Sequence, residues 1–247
     1  MIILIYYLLY ELYTKNMSWI DTPASQPIVF PEKVNRNNFD DIVWDYHRYI
    51  RRFFYDTFSK NFDKKVAGPS IVFYDYEIDR EIQWQKNIYI YYDREKNEIC
   101  ISRDMLGNIW FIKKNNITAL GLYLLIGHEF GHAFEELGDL TMTQIEQEGF
   151  ADIYSGYAFR HAYQDNNMHL ETMRWALLIF EELWVLCREM EEKYGTKNIH
   201  GDEKVRIKNF LTGYMMTPQQ FSESVAQFAQ TKKGIKLFKN LLLSFLK

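Results

Sequence analysis

Residues 124–132 of this chain read LLIGHEFGH and contain the pattern H-E-x-x-H at His128, Glu129 and His132. On an α-helix, residues four apart lie one above the other on the same face, so the two imidazoles converge on one point. Two neutral imidazoles and one further ligand make a tetrahedral zinc site with one open position. The pattern therefore predicts a metal-binding helix in which Glu129 can reach a water molecule held at that point.

The residues around this pattern are apolar and predict a buried helix. Leucine, isoleucine, alanine and phenylalanine flank the histidines, so only the ligand-bearing stripe is polar. Gly127 and Gly131 are costly in a helix, and a close approach of backbone or substrate would explain them. We place the helix at residues 118–137, ended by Gly138. The competing interpretation is a core helix whose two histidines are satisfied by hydrogen bonds.

Composition limits the class of protein. The chain has 247 residues, enough for one large domain or two small lobes that share a cleft. A net charge of −4 argues against a nucleic-acid-binding surface. The two cysteines, Cys100 and Cys187, lack C-x-x-C spacing, which argues against cysteine-ligated zinc. We expect both to be buried thiols rather than a disulfide.

The first residues are apolar but do not form a clear targeting segment. Residues 1–16 are too short to span a bilayer and lack the basic start and cleavage site of a secretory signal. Met17 is an alternative start. We therefore interpret residues 1–38 as an irregular or signal-like lead-in. The localisation, cytoplasmic or secreted and periplasmic, depends on whether residues 1–16 are a real signal-like segment.

Residues 39–247 are predicted to form a single α+β domain that is mainly helical. Residues 39–137 make a lobe of helix and small sheet that ends in the H-E-x-x-H helix, and residues 138–247 make a helical lobe. Alternating β-branched and aromatic residues predict strands at 70–75, 87–92 and 98–102, the last two forming a hairpin. Apolar residues at helical spacing, with caps, predict helices at 39–62, 104–115, 118–137, 143–163, 168–194, 202–215, 217–230 and 235–246.

The last of these helices is basic and amphipathic. It has a weak potential to bind a membrane surface, and core packing is the favoured interpretation. No transmembrane span is predicted, and the sequence does not indicate an oligomeric state.

A third metal ligand is expected from the helix that follows the motif. Glu148 lies sixteen residues after His132, and a short loop lets its helix fold back on the first. Glu148 would then complete a His₂Glu ligand set. Asp152, four residues on, would accept the second imidazole N–H of a ligating histidine. Glu146 is the alternative third ligand, and a solvated acidic helix start is the alternative to both.

These motifs resemble a known class of enzymes. HEFGH followed by E-x-x-A-D is similar to the gluzincin division of the zincin metallopeptidases, and more narrowly to a bacterial family classed as metallopeptidases whose function is otherwise undetermined. Residues 87–101 are similar to that family's hairpin, although Ile101 replaces its tyrosine, and residues 200–214 are similar to a downstream helix with imperfect spacing. The resemblance covers roughly residues 70–220. It implies a zincin-like fold with a small N-terminal mixed sheet, an active-site helix beneath it and a C-terminal helical lobe.

The resemblance also implies a zinc-dependent metallopeptidase that holds one Zn²⁺ and acts on a peptide or protein substrate. Glu129 would be the general base that takes a proton from the metal-activated water. A donor to the oxyanion is also needed, with His200 as the first candidate and Arg206 and Tyr214 as others. The alternatives are a zinc-stabilised binding or scaffold protein that cleaves nothing, and a metal-free helical module. The remaining histidines, expected to be ordinary core or surface residues, are His47, His161 and His169.

Overall fold

The computed structural model describes residues 37–74, 90–103, 118–164, 176–178 and 202–230. The elements in these ranges are α1 (Phe39–Phe62), β1 (Ser70–Tyr74), β2 (Ile90–Asp93), β3 (Glu98–Ser102), α2 (Thr118–Leu137), α3 (Gln144–Gln164), α4 (Glu203–Met215) and α5 (Pro218–Gln230). The prediction of a mainly helical α+β fold is confirmed. The lead-in up to residue 36, the helices expected at 104–115 and 235–246, and most of the helix expected at 168–194 lie outside the described residues.

The sheet is small and mixed, as predicted. Its strand order is β1–β3–β2, with β1 parallel to β3 and β2 antiparallel to it. The hairpin between β2 and β3 turns at Asp93, whose Oδ1 accepts hydrogen bonds from the backbone N–H groups of Glu95 and Lys96. Asn97 closes the turn with a φ of 53°, a left-handed conformation that asparagine tolerates.

The apolar helix α2 lies in the core, between α1, the sheet and α3. Its bounds match the prediction, and its end is fixed by backbone hydrogen bonds from Gly138 to Phe134 O and from Leu140 to Glu135 O. A Cβ at Gly138 would lie 2.4 Å from the ring of Phe62, so glycine lets α1 and α2 end against each other. None of the helices in the described ranges is long and apolar enough to cross a bilayer.

Two small residues let α3 approach α2 closely. A Cβ at Gly131 would lie 2.5 Å from Ala151 Cα, well inside van der Waals contact. One turn earlier Gly127 faces Ser155, whose hydroxyl donates a hydrogen bond of 2.9 Å to Leu124 O. The close approach expected from the two glycines of the motif is therefore made by the backbone of Ala151 at Gly131 and, more loosely, by Ser155 at Gly127.

The contact between α3 and α4 is equally close. A Cβ at Gly156 would lie 2.0 Å from Phe210 O, and a Cβ at Gly213 would lie 1.8 Å from Ile153 O. Near the end of α3, Arg160 Nη1 donates a hydrogen bond of 2.9 Å to Met216 O. Because the backbones approach so closely, side chains of α4 reach the helix pair that carries the motif.

Candidate metal centre

Three side chains on α2 and α3 converge on one point. His128 Nε2 and His132 Nε2 are 3.1 Å apart, and the Glu148 carboxylate oxygens lie 3.4 Å and 3.7 Å from them respectively. One ligand atom from each residue lies within 4.8 Å of the other two. Within the described part of the chain, this is the group of His, Cys, Asp and Glu side chains that can hold a metal ion.

The distances in this group suit a zinc ion. Ligands at about 2.0–2.1 Å from zinc in a tetrahedral arrangement are separated by about 3.3 Å. The closest approaches in this group are 3.1 Å between the two Nε2 atoms and 3.4 and 3.7 Å from these to the two oxygens of Glu148. Glu148 Oε2 is buried between two nitrogen atoms, with Arg206 Nη1 at 3.1 Å and His128 Nε2 at 3.4 Å. A buried oxygen in that position is a suitable metal ligand.

The charges of the site also favour a cation. Four carboxylates surround the two imidazoles, and one buried guanidinium, that of Arg206, lies among them in the described structure. Buried carboxylates are costly unless they are paired or coordinate a metal. The four carboxylates belong to Glu129, Glu135, Glu148 and Asp152.

Asp152 and Arg206 hold the ring of His128. Asp152 Oδ1 lies 3.1 Å from His128 Nδ1, and Asp152 is 0% exposed. Arg206 donates to both oxygens of this carboxylate, from Nε at 2.6 Å and from Nη2 at 2.7 Å. With Nδ1 of His128 bound to the carboxylate, Nε2 is directed towards His132 and Glu148.

His132 has its own carboxylate partner, Glu135. Nδ1 of His132 lies 2.9 Å from Glu135 Oε1, one turn further along α2. Arg94, in the turn between β2 and β3, lies 3.9 Å from the same oxygen and 3.4 Å from Glu136 Oε2. Sequence reasoning missed Glu135, although its spacing of three residues from His132 places the two on one helix face.

The pKa values of the cluster reflect its mixed charges. Burial alone would lower the pKa of His128, but hydrogen bonds with Asp152 and Glu148 outweigh it and raise the pKa to about 9. Burial would raise the pKa of Glu148, but its contacts with His128 and the nearby cations hold that pKa well below its usual range. The cluster therefore keeps Glu148 ionised, as a metal ligand must be.

Glu129 lies beside the ligand group and is 7% exposed. Burial raises the pKa of its carboxyl above the usual value, while the positive potential of His132 and His128 opposes the shift. The backbone N–H of Tyr92 donates a hydrogen bond to this carboxylate. Tyr92 is on β2, an edge strand of the described sheet. One edge of β2 pairs with β3, and the other edge faces α2.

The other candidate residues fall at different distances from the centre. Glu146 Oε2 accepts hydrogen bonds from the backbone N–H and hydroxyl of Thr143, so this alternative ligand caps α3 and does not join the group. The guanidinium of Arg206 binds the carboxylate of Asp152, contacts that of Glu148, and lies 3.4 Å from both ring nitrogens of His128. Tyr214 lies two turns beyond Arg206 on α4, about 12 Å along the axis, with its ring against Phe159. His200 lies outside the described residues.

The remaining histidines and cysteines have structural surroundings. His47 is buried and its Nε2 bonds to Pro69 O at 2.8 Å. His161, expected at the surface, is instead partly buried, with its ring 4.7 Å from that of Phe53 and Nδ1 3.1 Å from Tyr49 Oη. Cys100 is buried and free, as predicted. His169 and Cys187 lie outside the described residues.

Comparison with known proteins adds no family assignment. No protein-family model matches the chain, and no curated protein or solved structure matches it at a significant level. The resemblance to gluzincins therefore remains an interpretation of the motifs, and the function has to be inferred from the geometry of the site itself.

Proposed function

We propose that this protein is a zinc-dependent peptidase that uses Glu129 as its general base. The observation that carries the proposal is the convergence of two imidazoles and one carboxylate beside a second, buried carboxylate. A structural zinc site closes its coordination with four protein ligands, whereas a catalytic site keeps one position for water or substrate. The described group offers three ligands, and an N₂O set of imidazole and carboxylate suits zinc.

The residues of the site have distinct roles in this proposal. His128, His132 and Glu148 would hold the ion, with Asp152 keeping His128 in the tautomer that exposes Nε2. When bound, Zn²⁺ lowers the pKa of a water ligand to about 7 and polarises a substrate carbonyl.

Glu129 is suited to take and return a proton. Its pKa is raised by burial, which brings the carboxylate closer to the operating pH and strengthens it as a base. The hydrogen bond from the Tyr92 backbone fixes the carboxylate while leaving acceptor capacity on its oxygens. Glu129 would accept a proton from the attacking water and later donate it to the leaving amine.

The metal ligands are tested by zinc content. We expect about one zinc per wild-type chain and a large loss in Glu148→Ala, because the carboxylate completes the ligand set. Glu146→Ala is the matched control, since Glu146 is on the same helix but caps its first turn. Equal zinc content in wild type and both variants would show that Glu148 is not a ligand.

Catalysis is tested with Glu129→Gln and a broad library of fluorogenic peptides. We expect chelator-sensitive hydrolysis by the wild type and a fall of at least about a hundredfold in the variant, with zinc content unchanged. Full turnover by Glu129→Gln would refute the role of general base.

One observation favours a second function, a zinc site that only stabilises a binding or scaffold protein. The ligand side chains are largely buried, with 4%, 14% and 12% exposure for His128, His132 and Glu148. This function predicts that zinc removal lowers the melting temperature while no peptide in the library is cleaved. It also predicts that Glu129→Gln leaves the zinc content unchanged and removes no hydrolytic activity, since a structural site needs no base.

A further inference from the structure

We propose that Glu135 is a positioning residue that fixes His132 in its Nδ1–H tautomer and so directs Nε2 towards the metal ion. The inference rests on the metal centre of the proposed function and adds a residue to it. Glu135 Oε1 lies 2.9 Å from His132 Nδ1. An ionised carboxylate can only accept a hydrogen bond, so the proton of the neutral imidazole must be on Nδ1.

The placement of Glu135 is unfavourable for a carboxylate that lacks a close partner. The residue is 1% exposed, and its Oε2 has no hydrogen-bond partner among the described residues. It also lies in the last turn of α2, where the helix dipole disfavours negative charge. Both the burial and the dipole destabilise an acid at this position, and the closest contact that compensates them is the one with His132, at 2.9 Å.

Arg94 explains how the buried charge is tolerated. Its Nη2 lies 3.9 Å from Glu135 Oε1, too far for a hydrogen bond but close enough for attraction. The same guanidinium contacts Glu136 at 3.4 Å and Gln147 at 3.3 Å, which holds the turn of the β2–β3 hairpin against α2 and α3. Oε1 of Glu135 therefore remains available to the imidazole while its charge is partly offset.

The two imidazoles then have separate carboxylate partners. Asp152 reaches His128 across the contact between α2 and α3, whereas Glu135 reaches His132 within α2 itself. With each Nδ1 on a carboxylate, the two Nε2 atoms face each other at 3.1 Å. Loss of Glu135 should release Nδ1 of His132 while leaving the contact of His128 Nδ1 with Asp152 in place.

The experiment uses the variants Glu135→Gln and Glu135→Met, with Glu136→Gln as matched control. Glu136 is the next residue on α2 and also contacts Arg94, but it does not touch an imidazole. Tautomers are read by NMR of the metal-free protein labelled with ¹⁵N-histidine, and zinc affinity is read by competition with a chromophoric chelator. If Glu135→Met does not fold, Glu135→Gln, which keeps the shape of the side chain, provides both readouts.

We expect His132 to populate the Nδ1–H tautomer in wild type and a mixture of tautomers in the Glu135 variants, while Nδ1 of His128, held by Asp152, keeps its proton. The zinc dissociation constant should rise about 10- to 100-fold, the usual effect of losing such a partner. Glu136→Gln should change it by less than about threefold, since an exposed ion pair contributes little.

The proposal is overturned if both Glu135 variants keep the wild-type tautomer and zinc affinity, or if Glu136→Gln reproduces their changes. A wild type that binds no zinc overturns this proposal together with the metal centre. A wild type that binds zinc but hydrolyses no peptide refutes the peptidase alone, because the tautomer and affinity readouts do not depend on turnover.

Discussion

Replacing Gly131 by alanine tests how the two ligand-bearing helices are joined. The new Cβ would lie 2.5 Å from Ala151 Cα and 3.0 Å from Ala151 O. Favourable carbon contacts begin at about 3.5 Å, so α2 and α3 must separate locally by about 1 Å. Gly131 is adjacent to His132, and Ala151 is adjacent to Asp152, so the displacement acts directly on the metal centre.

Two consequences follow from that displacement. Overpacking at a backbone contact costs about 3 kcal/mol, and the better helix propensity of alanine offsets about 1 kcal/mol, which leaves a net loss of about 2 kcal/mol. The distance from His132 Nε2 to Glu148 Oε1, now 3.7 Å, would grow to about 4.7 Å. Two ligands of one zinc can be separated by at most about 4.2 Å, so zinc affinity should fall at least about tenfold.

Urea unfolding of the metal-free protein and chelator competition measure the two effects. Gly127→Ala is the matched control, because it is on the same helix and its Cβ would meet Ser155 Oγ at 3.2 Å and Ser155 Cα at 3.5 Å, a much milder contact than that of Gly131. Both variants gain the same helix propensity, so the difference between their free energies of unfolding reports the difference in steric contact. If the free energy of unfolding of Gly131→Ala is within about 0.5 kcal/mol of that of the control, and the two variants bind zinc equally well, the close approach of α2 and α3 is refuted.

Three further predictions concern other parts of the molecule. Tyr154→Phe should stabilise the protein by about 1 kcal/mol in urea unfolding, because the buried hydroxyl has no hydrogen-bond partner among the described residues; a loss of stability would reveal a partner. Burial holds the pKa of His47 below 6.5. As the pH falls, the unfolded chain therefore binds a proton at a higher pH than the folded protein does, and the free energy of unfolding falls below about pH 6.5. His47→Gln, which can still donate to Pro69 O, should show a smaller difference between about pH 7.5 and about pH 5.5, and equal differences would contradict the shift. His200→Ala should lower kcat by about a hundredfold with zinc content unchanged, as loss of an oxyanion donor does; full activity would exclude that role.

The sequence predicted the long elements well because their signals are local. The range Phe39–Phe62 carries a regular apolar stripe, and Thr118–Leu137 is a continuous apolar helix with a glycine stop, so both sets of bounds match the structure. The β2–β3 hairpin was equally clear, since a short polar turn separates two β-branched runs.

The site was harder to predict where it depends on how helices are rotated. Glu146 and Glu148 are two residues apart and therefore about 200° apart around α3, so one rotation of the helix cannot present both to the histidines. The contact of Ala151 with Gly131 sets that rotation, and it is a tertiary contact that periodicity does not reveal.

Arg206 shows a second limit of sequence reasoning. It was a candidate oxyanion donor, yet its guanidinium binds Asp152 and contacts Glu148. How far a long side chain reaches depends on the distance between helix backbones, and here Gly156 and Gly213 make that distance unusually short.

The position of Arg206 has a consequence for synthesis on the ribosome. Its helix, α4, follows α3 by dozens of residues, and Arg206 is 54 residues beyond the carboxylate that it binds. A nascent chain that has reached only α3 carries Glu148 and Asp152 with His128 but without the guanidinium that pairs with both, and drawing the two carboxylates together without it is costly. A ribosome-stalled chain that ends before residue 203 should therefore hold α2 and α3 loosely, and the arrival of α4 should be the event that closes the centre.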